Sequence, residues 1–145
     1  MSSSEIIFVL GVHRSGTSAV AELLGSVGYS VPGTMLDSDF FVNAHGFWES
    51  KEVVDINERI LTVLGLNWFD VFLLESGWEN HKKIIPIKKQ AIKFIKNALI
   101  KNPHLVIKDP RICVLMPFWL SCIGDVAYKS IFVYRAPLSV ALSLQ

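Results

Sequence analysis

The sequence predicts an α/β fold, a parallel β-sheet flanked by helices. Three observations carry that expectation. Short continuous apolar runs with β-branched members, at Ile6–Leu10, Leu105–Ile107 and Ser130–Tyr134, have the composition of strands buried on both faces, as in parallel sheets. Stretches with apolar residues at helical spacing alternate with those runs. A glycine-punctuated turn, Gly11–Gly16, joins the first strand directly to the first helix.

The elements follow in order. After the first strand, Thr17–Val27 has a helical pattern closed by Gly28, and residues 29–48 read as irregular around Pro32, Gly33 and Gly46. Val53, Ile56, Ile60 and Val63 recur at helical spacing, which predicts a helix over Lys51–Leu64 with Gly65 as its C-terminal cap. Residues 66–81 are aromatic-rich and fit neither period. A second amphipathic helix covers Lys83–Lys101, with Ile84, Ile87, Ala91, Phe94, Ile95 and Ala98 inward and Pro86 tolerated only in its first turn. Arg111–Ile123 is predicted helical, kinked or started late by Pro117, and Leu138–Gln145 opens a last helix.

Composition narrows the function classes. The 145 residues are 51% apolar and 19% charged, which excludes a disordered chain and suits one domain with a real core. A net charge of +1 argues against a nucleic-acid binder. That balance hides an asymmetry: residues 1–81 carry 3 basic and 11 acidic side chains, residues 82–145 carry 11 and 2. Seven of the basic residues are lysines between Lys82 and Lys101, read here as the wet face of one helix, with an anionic partner as the alternative. Cys113 and Cys122 have no metal-ligand spacing with the histidines and are expected to be reduced and structural. The N-terminus lacks a secretory pattern, and Ile112–Ile123 is too short and Pro-interrupted to span a bilayer, so a cytoplasmic protein without a membrane span is expected.

The first chemical signal is Gly11-Val-His-Arg-Ser-Gly-Thr-Ser18. Its glycines are spaced as in the phosphate-cradling loop G-x-x-x-x-G-K-[ST], between a strand and a helix, where successive N–H groups and a helix N-terminus favour an anion. Thr17 stands where the nucleoside-triphosphate enzymes place lysine, and the nearest cation is Arg14 inside the loop. The loop is therefore expected to take an anion, but not ATP in the usual way. An ordinary strand–turn–helix corner is the plain alternative.

Four segments then resemble one family. Val9–Ser18 resembles the 5′-phosphosulfate loop of sulfotransferases that use 3′-phosphoadenosine 5′-phosphosulfate (PAPS), in the manner of the bacterial and tyrosylprotein-type branches, which have Arg where cytosolic members have Lys. His45-Gly-Phe-Trp-Glu49 and Val106-Ile-Lys-Asp-Pro-Arg111 resemble downstream segments of bacterial members. Phe132–Ser143 resembles the 3′-phosphate motif, an Arg at a strand end followed eight residues later by a helical Ser, here Arg135 and Ser143.

The resemblance implies a three-layer P-loop-type fold and a single sulfotransferase-like domain. Residues 1–145 would be its N-terminal, cofactor-binding portion, truncated before the region that completes the adenine pocket. It implies PAPS as co-substrate, the bisphosphate PAP as product, no metal, and a hydroxyl- or amine-bearing acceptor, a carbohydrate by likeness to bacterial members. It names no nucleic acid and leaves a homo-oligomer open. Arg14, Ser15, Gly16, Thr17 and Ser18 would surround the bridging oxygen, with Arg14 on transition-state charge, and Lys108 would stand near the transferred group. Arg135 and Ser143 would clamp the 3′-phosphate. Glu49 is the first choice of general base, with helix capping as its alternative, and His13 and His45 are weaker choices. Asp109 is expected to cap the next helix, with Pro110 at its first position and Arg111 on an acid or on substrate. Trp68–Trp78 is either acceptor cleft or core. The rival functions are a nucleotide kinase with a degenerate loop and a non-catalytic anion-binding fragment.

Overall fold

A computed structural model of the chain describes residues 3–37, 47–70 and 73–143. Three parallel strands, β1 (Glu5–Leu10), β2 (His104–Lys108) and β3 (Ala127–Phe132), form a sheet in the order β2-β1-β3. The helices are α1 (Thr17–Ser26), α2 (Lys51–Leu64), α3 (Ile85–Lys101), α4 (Ile112–Ile123) and α5 (Pro137–Ser143), with one short 3-10 turn at Trp78–Asn80. This is the expected alternation, with a parallel sheet flanked by helices.

The period of two along β1 sorts the core into two layers. Ile6 and Phe8 pack with Leu105 and Ile107 against α2, α3 and α4, around Ile60, Ile95 and Trp119. Ile7 and Val9 pack with Val106 against Ala21 of α1. Burial on both faces is why β1 and β2 read as unbroken apolar runs. Ser30 pins the outer edge of β2, donating to the His104 carbonyl at 3.0 Å and accepting from Val106 N–H at 3.0 Å.

The helix ends follow local chemistry. Ser50 caps α2, its hydroxyl accepting from Val53 N–H at 3.2 Å, and Gly65 closes it in the left-handed conformation. Five of the six residues expected on the inner face of α3 are buried, and Phe94 is partly so; Lys82, Lys83, Lys89, Lys93, Lys96 and Lys101 are exposed. Lys89, Lys93, Lys96 and Lys101 are on the wetted face of α3, while Lys82 and Lys83 precede the helix. Burial pushes the Cys122 thiol up to about 11, as suits a structural cysteine. Among the described residues no helix is long and apolar enough to cross a membrane.

Three expectations are corrected. The third strand lies at Ala127–Phe132, not Ser130–Tyr134, and it is largely exposed. It is an edge strand like β2, but α1 and α3 pack on β2, and among the described residues no helix covers β3 to that extent. Of the two expected effects of Pro117, the late start is not found: α4 runs through it from Ile112, and the missing N–H leaves one carbonyl without its helical donor. Pro110 precedes α4 rather than opening it, because a tight turn intervenes, with Ile112 N–H on the Asp109 carbonyl at 3.0 Å.

Candidate functional site

The loop between β1 and α1 is built by close approach. A Cβ on Gly11 would lie 2.7 Å from the Val133 carbonyl oxygen and 2.8 Å from Ser15 Oγ, so only glycine fits. The Ser15 hydroxyl turns inward to donate to the Val12 carbonyl at 2.7 Å, and the Thr17 side chain is buried under the loop. Both shape the turn from within. Gly16 caps α1 at φ 101°, and the first turn of that helix presents N–H groups with no acceptor inside the helix.

Arg14 is a non-glycine residue at φ 65°. Its carbonyl accepts from Arg135 NH1 at 3.0 Å, and its Nε donates to Ser143 Oγ at 2.9 Å. Pairing beyond β3, Val133 N–H to the Leu10 carbonyl at 2.8 Å, carries Arg135 alongside the loop. The end of α5 then returns Ser143 to the same rim. Arg14 is thereby gathered with Arg135 and Ser143, which lie 121 and 129 positions further along the chain.

Lys108 ends β2 and is buried with Glu49: Nζ lies 2.5 Å from Glu49 Oε1, with side chains 5% and 9% exposed. The ammonium also donates to the Phe47 carbonyl at 3.0 Å and to Ser18 Oγ at 3.3 Å. Burial pushes the Glu49 carboxyl above its ordinary range, against the pull of Lys108. Glu49 is not the cap of α2, since Ser50 is. Trp48, itself at φ 53°, sets the approach of this segment by seating its ring on α1, where a Cβ at Gly25 would meet it at 2.6 Å. His45 and Gly46, the first part of the His45–Glu49 segment, lie outside the described residues.

These groups face one cavity of about 550 Å³, lined by Arg14, Gly16, Thr17, Ser18, Glu49, Lys108, Arg135 and Ser143 together with His13, Glu22, Phe47, Trp68 and Pro110. Of the residues expected in the site, only Ser15 is turned away from it. The volume lies in the range of small-molecule sites. Trp68 belongs to the cavity, Trp78 packs on the core, and Phe69 and Leu73 are exposed, so the aromatic stretch is divided among cavity wall, core and solvent.

Behind the wall runs a buried polar chain that the sequence reading does not contain. Trp119 Nε1 donates to Asn57 Oδ1 at 2.9 Å, and Asn57 Nδ2 donates to Asp109 Oδ2 at 3.0 Å. Asp109 Oδ1 accepts from the backbone and the guanidinium of Arg111, both at 2.9 Å, and Arg111 continues to Glu58 at 2.6 Å. Asp109 thus organises the approach to α4, and Arg111 pairs with acids. The one local signal for Asn57 is an amide on the apolar stripe of α2. Cys113 also joins the site from outside, its Sγ accepting from Gly11 N–H at 3.2 Å. Among the described residues no group of three or more His, Cys, Asp or Glu could hold a metal ion. No family model, curated protein or solved structure matches the chain.

Proposed function

We propose that the chain is a PAPS-dependent sulfotransferase domain of P-loop type, moving a sulfuryl group to a hydroxyl or amine acceptor in the 550 Å³ cavity. The observation that carries the reading is the junction of Arg14, Arg135 and Ser143 beside the glycine loop. Two guanidiniums and a hydroxyl at one rim, next to a helix N-terminus, suit a ligand with two separated anionic groups. A triphosphate enzyme would instead require a lysine at position 17, where a buried threonine stands.

In this reading Arg135, Ser143 and the Arg14 side chain hold the 3′-phosphate. The loop N–H groups and the first turn of α1 hold the 5′-phosphosulfate, and PAPS would supply the activated sulfuryl group. Lys108 places a positive charge at the wall where negative charge grows on the leaving phosphate. Glu49, bound to Lys108, fixes that ammonium; this reading moves it from base to positioning residue. Calorimetric titration tests the proposal. PAP is expected to bind without added metal, and Mg²⁺–ATP far more weakly; equal or preferential binding of Mg²⁺–ATP would sink it.

A further inference from the structure

A second, smaller cavity of about 190 Å³ adjoins the first. The two share His13, Trp68 and Pro110 as a common wall. The other sides of the smaller cavity are largely apolar, with Val12, Leu61 and Val114, and its polar edge is Asp70 and Arg111. Arg111 spends NH1 on Asp109 and NH2 on Glu58, while its buried Nε has no partner among the described residues. An apolar cavity of roughly 150 Å³ accepts one benzene ring, so this volume takes a single ring and little more. The exposed Trp68 ring meets His13 edge-on at 5.0 Å between centroids, which holds the imidazole at the boundary.

Resting on the sulfotransferase reading, we infer that the smaller cavity holds the acceptor, a hydroxyl carried on a single ring, and that His13 takes its proton. His13 sits inside the phosphate loop, so it is fixed next to the group that reacts. Glu49 faces only the larger cavity and is held by Lys108. In the step, the acceptor oxygen forms a bond to sulfur as the bond from sulfur to the 5′-phosphate oxygen breaks. The electron pair of that bond leaves on PAP, and the hydroxyl proton passes to the imidazole.

The charged surroundings agree with a neutral imidazole. Burial lowers the affinity of His13 for a proton, and Arg111 and Lys108 lower it further against the opposing charge of Asp109. Arg14 in the same loop is a further cation, and Asp70 on the smaller cavity is a further anion. The base is therefore unprotonated at neutral pH and ready to accept.

The test uses the full chain, labelled PAPS and two ring acceptors, a simple phenol and a methyl glycoside. Transfer to at least one is expected. His13→Asn and His13→Gln are expected to lower kcat by 100-fold or more. Both variants should bind PAP within about threefold of the parent and lose the acidic limb of the pH profile, since a general base contributes roughly that much and ground-state anion binding does not need it. Val114→Trp, filling the smaller cavity, is expected to raise the acceptor KM tenfold or more and to abolish acceptor signals in saturation-transfer NMR of the PAP complex. Turnover by the His13 variants within a few-fold of the parent, an unchanged KM in Val114→Trp, or PAP binding with transfer to neither acceptor would each overturn the inference alone. Failure of PAP to bind the parent chain would overturn the sulfotransferase reading and this inference with it.

Discussion

Replacing Lys108 by methionine strands the Glu49 carboxylate in the cavity wall. The pair is nearly excluded from water, at 5% and 9% exposure and 2.5 Å separation, so its loss differs from that of a surface ion pair. Breaking a buried pair from one side costs about 3–5 kcal/mol, because the remaining charge keeps its desolvation penalty. The Phe47 carbonyl and Ser18 hydroxyl lose a donor in the same change. With a urea dependence of about 2 kcal/mol per molar, the unfolding midpoint should fall by roughly 1.5–2.5 M at pH 7. Adding Glu49→Gln removes the stranded charge, and the double variant should recover about half of the loss or more. The pH dependence has a definite sign. Burial raises the carboxyl of Glu49 above its ordinary value of 4.5, so the folded state holds the extra proton between those values, and stability falls as pH rises through that window. Without Lys108 the window widens upward. The deficit should be full at neutral pH and shrink as pH falls toward 4.5. A midpoint shift below about 0.5 M at pH 7, or a deficit that grows in acid, would refute the reasoning.

Three further outcomes are expected. Gly25→Ala should destabilise by about 1–2 kcal/mol in thermal unfolding despite the better helix propensity of alanine, because its Cβ would lie 2.6 Å from the Trp48 ring; a gain in stability would contradict that packing. Asn57→Leu should cost about 3 kcal/mol in urea unfolding, since it leaves Trp119 Nε1 and one oxygen of Asp109 unsatisfied in the interior; a near-neutral effect would dissolve the polar chain. Ser50→Ala should cost about 1 kcal/mol by the same measurement, through loss of the α2 cap, and an effect of zero would return the capping role to another group.

What the sequence revealed depended on whether the cause was local. The α2 helix is legible end to end because its stripe Val53, Ile56 and Ile60, its Ser50 cap and its Gly65 stop are all written within the segment. The β3 strand starts three residues and ends two residues before its apolar run because pairing with β1, not hydropathy, sets its ends. Its exposure follows from lacking the helix cover that β2, the other edge strand, receives from α1 and α3, which no window of residues contains. The strand–glycine loop–helix unit was legible in its spacing, and matching distant segments to one motif put Arg135 and Ser143 together; that Arg14 meets both was not legible. Spacing alone carries no sign that Lys108 closes on Glu49, 59 positions away, or that Asn57 joins Asp109, 52 positions away. Both contacts arise only when β2 and α2 are packed together.

The central claim is that Arg135 and its neighbours recognise a 3′-phosphate. The most direct measurement is a calorimetric cycle in which PAP and AMP, the same nucleotide without that phosphate, are each titrated into the parent chain and into Arg135→Ala. In the parent, loss of the 3′-phosphate should weaken binding by about 1.5–3 kcal/mol, the size of a charge-assisted contact, and in Arg135→Ala by much less. An equal penalty in both proteins, or no penalty in the parent, would contradict the account.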